Sequence, residues 1–535
     1  RYLSEVVERN PKATASRLAL AQALAAKNDV DGASRELAAA IAIAPKDPQP
    51  RILLVQILTV AKRYDAALRA LEDLRGVVTE PAVMANLRGT IYAVQGKVGE
   101  ARKQFEAALA EQPGYPPASH NLAQLEIRAK RPVLARQAYQ NALKKFPNDV
   151  TLIQSLVALE RQANRFDEAR TLLEAAHKRQ PNDPTLAALL AREHLSRGDA
   201  GAALAVTQQA AIAKPADRAL LEIRGSAYLM RGDARSALNA YQRLANEAPD
   251  SAEAHYFVAL GQTANGDYRA ARGALKRSLE LAPTELRSQA ATARLDLQEK
   301  NFDAALAMAN KIRQDHPQSA EGSLIEAEVL MAQNRAGDAI AVLERAVREF
   351  PKAGGLAHRL AQALWHSGAK PRAIESARAQ LARTPNDVEL LLFVAEANEA
   401  LGRAAEAQAG YEAVLRVQPQ HARALNNIAW LLRSSDRARA MTLAEAAHRA
   451  APADPHIADT LGWLLLQERK TARAEALLKQ ATEGAPNQLT YQYHYALALQ
   501  QAGKTRSAER LLSEIVVKPF PEREEALAVL SKMRS

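Results

Sequence analysis

RALLEIRGSAYLMRGDARSALNAYQRLANEAPDS, residues 218–251, decides the fold, because the chain restates it on both sides at a spacing of 34 residues. Leu220, Leu221, Ile223, Ala227, Tyr228 and Leu229 recur at helical spacing, Gly232 and Asp233 interrupt the pattern, and a second apolar-periodic segment starts near Ala234. The stretch predicts two helices joined by a short turn. Gly225 and Ala237 are small where two helices must cross closely, while Tyr228, Tyr241 and Leu244 fill the space around the crossing. Pro249 has no backbone N–H and disfavours helix in the residue before it, which ends the second helix.

Numbered from Arg218 as position 1, the unit has a small residue at 8, an aromatic or leucine at 11, alanine at 20, an aromatic or leucine at 24 and proline at 32. Proline recurs in this phase at 11, 45, 113, 147, 181, 215, 249, 283, 317, 351, 385 and 419, with Thr79 filling the one gap. Alanine holds position 20 at 33, 67, 101, 135, 169, 203, 237, 271, 305, 339, 373 and 407. These columns resemble the tetratricopeptide-repeat (TPR) signature, and the resemblance runs the length of the chain. It implies an all-α, right-handed superhelical solenoid of about fifteen TPR helical hairpins with a C-terminal capping helix.

Such a solenoid explains how 535 residues avoid one oversized core, since each hairpin buries its apolar stripe only against its neighbours. A hydrophobic content of 48% with only 4% aromatic residues fits alanine at close helix crossings. Cysteine is absent, which excludes disulfides and a cysteine nucleophile. No apolar run reaches the roughly 18–20 residues of a membrane helix. The net charge of +11 suggests nucleic acid or an acidic polymer as partner. Much of the excess, however, is arginine at position 21 (Arg102, Arg136, Arg170, Arg272), which reads as a solvated outer face.

Residues 1–13 read as the second half of a truncated repeat, with Pro11 at position 32, so the chain is expected to be part of a longer protein. Residues 14–421 hold twelve in-phase repeats, with Gly or Asn in most inter-helix turns and Pro-Asn-Asp at 147–149, 181–183 and 385–387 supplying helix caps. Residues 422–454 form a shortened thirteenth repeat: Pro452 follows Pro419 by 33, and Arg433-Ser434-Ser435-Asp436-Arg437 replaces the glycine turn. Residues 455–520 hold repeats fourteen and fifteen, and 521–535 a charged amphipathic capping helix.

In this family the first helix of each hairpin lines the concave groove, and positions 2, 5, 9 and 12 point into it. That implies a ligand-binding set of His358, Gln362, Trp365, Arg423, Asn426, Trp430, Arg433, His456, Asp459, Trp463 and Tyr493. Rigid aromatics flanked by polar groups suit peptide or sugar recognition; the same tryptophans also suit packing between the C-terminal repeats. Elsewhere in the groove the signs alternate, with Arg287 and Arg294, then Glu321 and Glu328, then Glu389, Glu396 and Glu399. A phosphate-tracking surface wants a continuous basic stripe, so nucleic acid is disfavoured. The carboxylate clamp of some relatives is incomplete, because Asn427 matches but Leu392, Glu396 and His456 stand where its partners belong.

No phosphate-binding loop, HExxH helix or Gly-x-Ser-x-Gly turn is present. His120, His177, His194 and His316 lie in different repeats without a shared face and read mostly as solvated, and the adjacent Glu193 and His194 point apart on their helix. No catalytic residue, metal or cofactor is therefore expected.

The segment ALNNIAWLLRSSDRARAMTLAEAAHRAAPADPHIADTLGWLLLQ, residues 424–467, resembles the bacterial PEP-CTERM system TPR-repeat lipoprotein family. The resemblance implies a longer array, an upstream lipid-attachment cysteine, and a role beside exopolysaccharide production and exosortase-dependent sorting. The expected function is a non-catalytic scaffold binding partner proteins or peptides in the bacterial periplasm or outer-membrane envelope, with the cytoplasm as the alternative compartment. Two other readings stand beside it: a periplasmic region of an exopolysaccharide export protein that binds the polymer, and the regulatory arm of an enzyme whose catalytic domain lies outside this stretch.

Overall fold

The structure is a computed structural model and describes residues 2–351, 353 and 355–534. Its described residues form 32 helices and no strand. They divide into two compact units, Arg1–Ala282 and Pro283–Ser535. In the first unit the single helix Tyr2–Arg9 packs on the first of eight hairpins, which run from Thr14–Ala26 with Val30–Ile43 to Ala252–Ala264 with Tyr268–Leu281. The second unit holds seven hairpins, from Leu286–Gln298 with Phe302–Asp315 to Leu489–Gln501 with Thr505–Ile515, followed by the helix Arg523–Arg534. Within each unit every helix packs on the next in sequence, and many first helices also meet the first helix of the following hairpin. The architecture is all-α and repetitive, as the sequence columns require.

The small residues act where expected. A Cβ on Gly225 would lie 2.3 Å from the ring of Tyr241, which is fully buried one helix later. Gly89 faces Phe105 in the same way, with a built Cβ 2.6 Å from the ring. Ala237 and its equivalents Ala33, Ala67, Ala101, Ala135, Ala271 and Ala305 are all fully buried. The contact is therefore repeated by composition.

The turn between the two helices has one left-handed residue. Asn28, Gly96, Asn164, Gly198, Gly232, Gly266, Asn334, Gly368 and Gly402 all have positive φ, and Lys62, Lys130, Lys300 and Arg469 adopt the same conformation despite a Cβ. In the unit at 218–251, Gly232 N donates to Leu229 O at 2.9 Å and Asp233 N to Tyr228 O at 2.9 Å; Asp233 then caps Ser236 N at 3.0 Å. Asp149, Asp183 and Asp387 cap Leu152, Leu186 and Leu390 at 2.9–3.1 Å. The shortened thirteenth repeat has no left-handed residue between Arg433 and Arg437. Its first helix ends at Leu432 after 11 residues, and Asp436 both bonds Leu432 O and caps Arg439 N.

Two expectations about charge need correction. Arg102 and Arg136 are not simply solvated: Arg102 Nε lies 2.6 Å from Glu126, and Arg136 makes bonds of 2.5 and 3.0 Å to the two oxygens of Glu160. Glu126 and Glu160 are 2% and 4% exposed, and both occupy position 11, where an aromatic or leucine was expected. The arginine at position 21 of one repeat thus reaches the acid at position 11 of the next. Arg161 and Arg197 flank buried Glu193 at 3.6 and 3.3 Å, whereas Arg170 keeps a surface role beside Asp167 and Glu174. At the other end of the chain, Ala526, Leu527, Leu530 and Met533 of Arg523–Arg534 cover Leu512, Ile515, Val516 and Tyr493. Among the described residues no helix is long and apolar enough to cross a membrane.

Gly225→Ala should destabilise its hairpin by about 1–3 kcal/mol through overpacking against Tyr241. Gly273→Ala, whose Cβ meets nothing within 4 Å, should stabilise by roughly 0.5–1 kcal/mol; hydrogen exchange across residues 218–281 measures both. Glu160→Ala strands the Arg136 guanidinium and should cost about 3 kcal/mol locally, while Glu160→Leu combined with Arg136→Met should recover most of it. Urea unfolding with exchange readout on Pro132–Lys145 and Val150–Gln162 checks the pair; an equal loss in the single and double variants would show that the ion pair is not the cause.

Candidate functional site

The groove set separates into two clusters in the second unit. The first is built on Leu356–His366 and Val388–Ala400, with Arg423 reaching in from Ala422–Leu432. His358, Gln362, Trp365 and Arg423 line a concavity of about 350 Å³ together with Glu389 and Phe393. Trp365 and Phe393 meet edge to face, with centroids 6.2 Å apart and planes at 85°, and His358 lies edge-on to Phe393 at 5.9 Å. Gln362 and His366 also line an adjoining concavity of about 370 Å³, walled by Leu324, Met331 and Leu343. The two share Gln362 and His366, and together their linings draw on four successive first helices, with Leu343 added from a second helix.

The electrostatics of this cluster follow from partial burial. Burial pushes the Glu396 carboxyl above its ordinary value; Arg423, 2.7 Å away, opposes the shift, and Glu399 and Glu389 add to it. The His358 imidazole is pushed down by burial against the opposing charge of Glu389, 3.7 Å away. Glu399 accepts a hydrogen bond from the Tyr411 hydroxyl, whose pKa rises through burial and that carboxylate. Arg294 pairs with Glu321 at 2.7 Å and Glu328 at 3.3 Å, so the alternating groove charges neutralise one another between repeats.

The second cluster is more closed. Trp463 lies 4.2 Å centroid to centroid from His494, and Trp430 lies 6.5 Å from the same ring, with the Arg433 guanidinium 4.1 Å from the Trp430 centroid. His494 Nδ1 stands 2.9 and 3.1 Å from the two oxygens of Asp459, and both residues are buried. Burial raises the Asp459 carboxyl against the pull of His494. His456 is exposed and bonds the Tyr491 hydroxyl. Asn426 is 8% exposed and donates to Asn427 at 3.4 Å, while Asn427 donates to Tyr411 at 2.9 Å, an internal use of the residue that matched the carboxylate clamp. Tyr493 departs from the groove expectation: it is 7% exposed and packs 6.3 Å from Phe520 under the C-terminal helix, because its position faces the end of the stack.

Phe393 and His494 were missed by sequence reasoning because both occupy position 6, outside the family's groove positions. A usable signal existed. Side chains 35 residues apart meet across successive first helices, as in Asn86 with Asn121, His120 with Ser155, and Asp459 with His494. The histidine expectation also needs correction. His177 and His194 line one concavity with Glu174 and Gln209, because the second helix Phe166–Arg179 packs on the next first helix, Pro184–Ser196; burial pushes His177 down, and His120 likewise in its own repeat. Among the described residues no group of three or more His, Asp or Glu side chains is placed to hold a metal.

Comparison with known proteins agrees with the repeat columns. The family described as Tetratricopeptide repeat-like domain matches residues 2–129, and families described as Tetratricopeptide repeat match 126–193, 224–286, 289–354 and 324–388. The TPR repeat-containing protein PA4667 of Pseudomonas aeruginosa is 28% identical over 167 residues, which is 31% of this chain and 28% of that relative. The chain therefore spans less than a third of the curated relative that it matches. Among solved structures, the APC/C hetero-tetramer Cut9-Hcn1 is 14% identical with a TM-score of 0.38, over 90% of this chain and 95% of that one. Naa15/Naa10 bound to HypK-THB is 14% identical with a TM-score of 0.32, over 97% and 99%. Both are remote likenesses, and the assignment rests on the family matches and the repeat columns: the chain belongs to the tetratricopeptide-repeat superfamily.

Proposed function

We propose that this chain is a non-catalytic scaffold that binds partner proteins or peptides on the first-helix surface of its second unit. The observation that carries the reading is the concavity at Trp365 and Phe393, where an aromatic wall, an amide and carboxylates converge on a space of about 350 Å³. Large rigid rings give contact area at low entropic cost, and the polar groups orient a backbone or side chain. By contrast, the Trp463 and His494 rings are engaged with each other, so that cluster serves packing. The resemblance of residues 424–467 supports placing the scaffold in the bacterial envelope, periplasmic or outer-membrane-associated, beside exopolysaccharide production or protein sorting, with a lipid anchor upstream. The half-buried Trp365 ring also favours a second reading, in which the polymer itself passes over this surface.

Trp365→Ala should abolish retention of partner proteins from the native envelope fraction, read by mass spectrometry and sugar analysis together, without changing helix content. Trp463→Ala should instead lower hydrogen-exchange protection of Pro455–Gln467 and Leu489–Gln501 by about 3 kcal/mol. Polysaccharide retained without protein would put the polymer reading first.

A further inference from the structure

Resting on that scaffold reading, the geometry points to the chemistry of the ligand: the Trp365 concavity takes a basic side chain, lysine or arginine, from an extended segment of a partner protein. Three carboxylates, Glu389, Glu396 and Glu399, project from Val388–Ala400, spaced seven and ten residues from the first, which sets them along one side of the helix. Among the described residues, one Lys or Arg side chain is paired with them. Arg423 contacts Glu396, Glu399 is bonded to a neutral tyrosine hydroxyl, and Glu389 is 71% exposed with the His358 ring 3.7 Å away. Burial disfavours the charged form of His358, and the same holds for His421, the other imidazole that feels Glu389. Arg359 lines the adjoining concavity, as does Glu328.

The aromatic wall favours the same ligand. The face of a tryptophan attracts a cation through its ring quadrupole, and the chain's own Lys370 places its ammonium 5.1 Å from the Trp365 centroid. A methylene stem laid against Trp365 and Phe393 would carry its charged head toward Glu389 and Glu396. Burial raises the Glu396 carboxyl and Glu399 and Glu389 add to the shift, so a further cation beside Glu389 would be favoured by the same charges. Arg423, 63% exposed, is the resident competitor that an incoming cation would displace. The adjoining apolar wall of Leu324, Met331 and Leu343 suits a neighbouring aliphatic side chain of the same segment.

Fluorescence anisotropy of the intact chain tests this with a labelled Gly/Ser peptide carrying a central Lys-Leu-Lys, its arginine form, its acetyl-lysine form and its Glu-Leu-Glu form. Binding of the two basic peptides is expected, with acetylation or acidic replacement weakening it by roughly tenfold or more. Glu389→Gln should weaken the basic peptides by about two- to fivefold, and Arg423→Gln should tighten them. Both substitutions lie at exposed side chains, and circular dichroism confirms the fold. Preference for the acidic peptide, with loss on Arg423→Gln, would overturn the proposal in favour of a carboxylate ligand. Binding indifferent to peptide charge but lost on Trp365→Ala would overturn it and leave the scaffold reading intact, as would absent peptide binding with partner capture still sensitive to Trp365. Absent peptide binding together with partner capture insensitive to Trp365→Ala would overturn both.

Discussion

The contact on which this architecture depends is the crossing of two helices at a residue with little or no side chain. At Gly225 the ring of Tyr241 occupies the volume that a Cβ would need, and alanine at position 20 lets the facing helix approach equally closely. Because each hairpin buries its apolar stripe only against its neighbours, the crossing must recur in every repeat or the stack loses register. It does so with varied partners, Phe105 against Gly89 and Leu478 against Gly462, so volume rather than residue identity is what is held constant. That register in turn brings side chains 35 residues apart into contact.

Register also decides what the charges do. A chain with a net charge of +11 could present a basic surface, yet arginines of successive repeats are set against acids one repeat away. Glu126, Glu160 and Glu193 are buried because Arg102, Arg136, Arg161 and Arg197 lie beside them; a buried carboxylate without such a partner would be costly. The same pairing occurs on the first-helix face at Arg294. Around Glu389 the pairing is less complete, and that charge beside an aromatic wall is the feature on which the proposed binding surface rests.

The two tryptophan clusters show how similar residue sets serve different ends. At Trp463 the ring next door is a histidine already held by Asp459, and the neighbouring Tyr493 is covered by Arg523–Arg534. At Trp365 the neighbouring ring is Phe393, which carries no polar atom, and Gln362, Glu389 and Glu396 line the concavity beside it. Both clusters combine tryptophan, histidine and carboxylate, and only their third-dimensional neighbours separate them.

The repeat columns alone determined the helices, their turns and their crossings, because helix period, proline position and left-handed turn residues are local properties of the chain. Even the deletion in the thirteenth repeat was legible, as a lost residue in the turn at 433–437 that shortens the first helix there. What the sequence could not decide was which side chain across an interface each residue would meet. Arg136 reads as a surface residue until Glu160 is found buried against it, His177 and His194 read as unrelated until they share a concavity, and Tyr493 reads as a groove residue until a helix covers it. Those outcomes depend on contacts between repeats. They arise from the tertiary stack, where burial sets whether a polar side chain must find a partner inside the protein or can take one from outside.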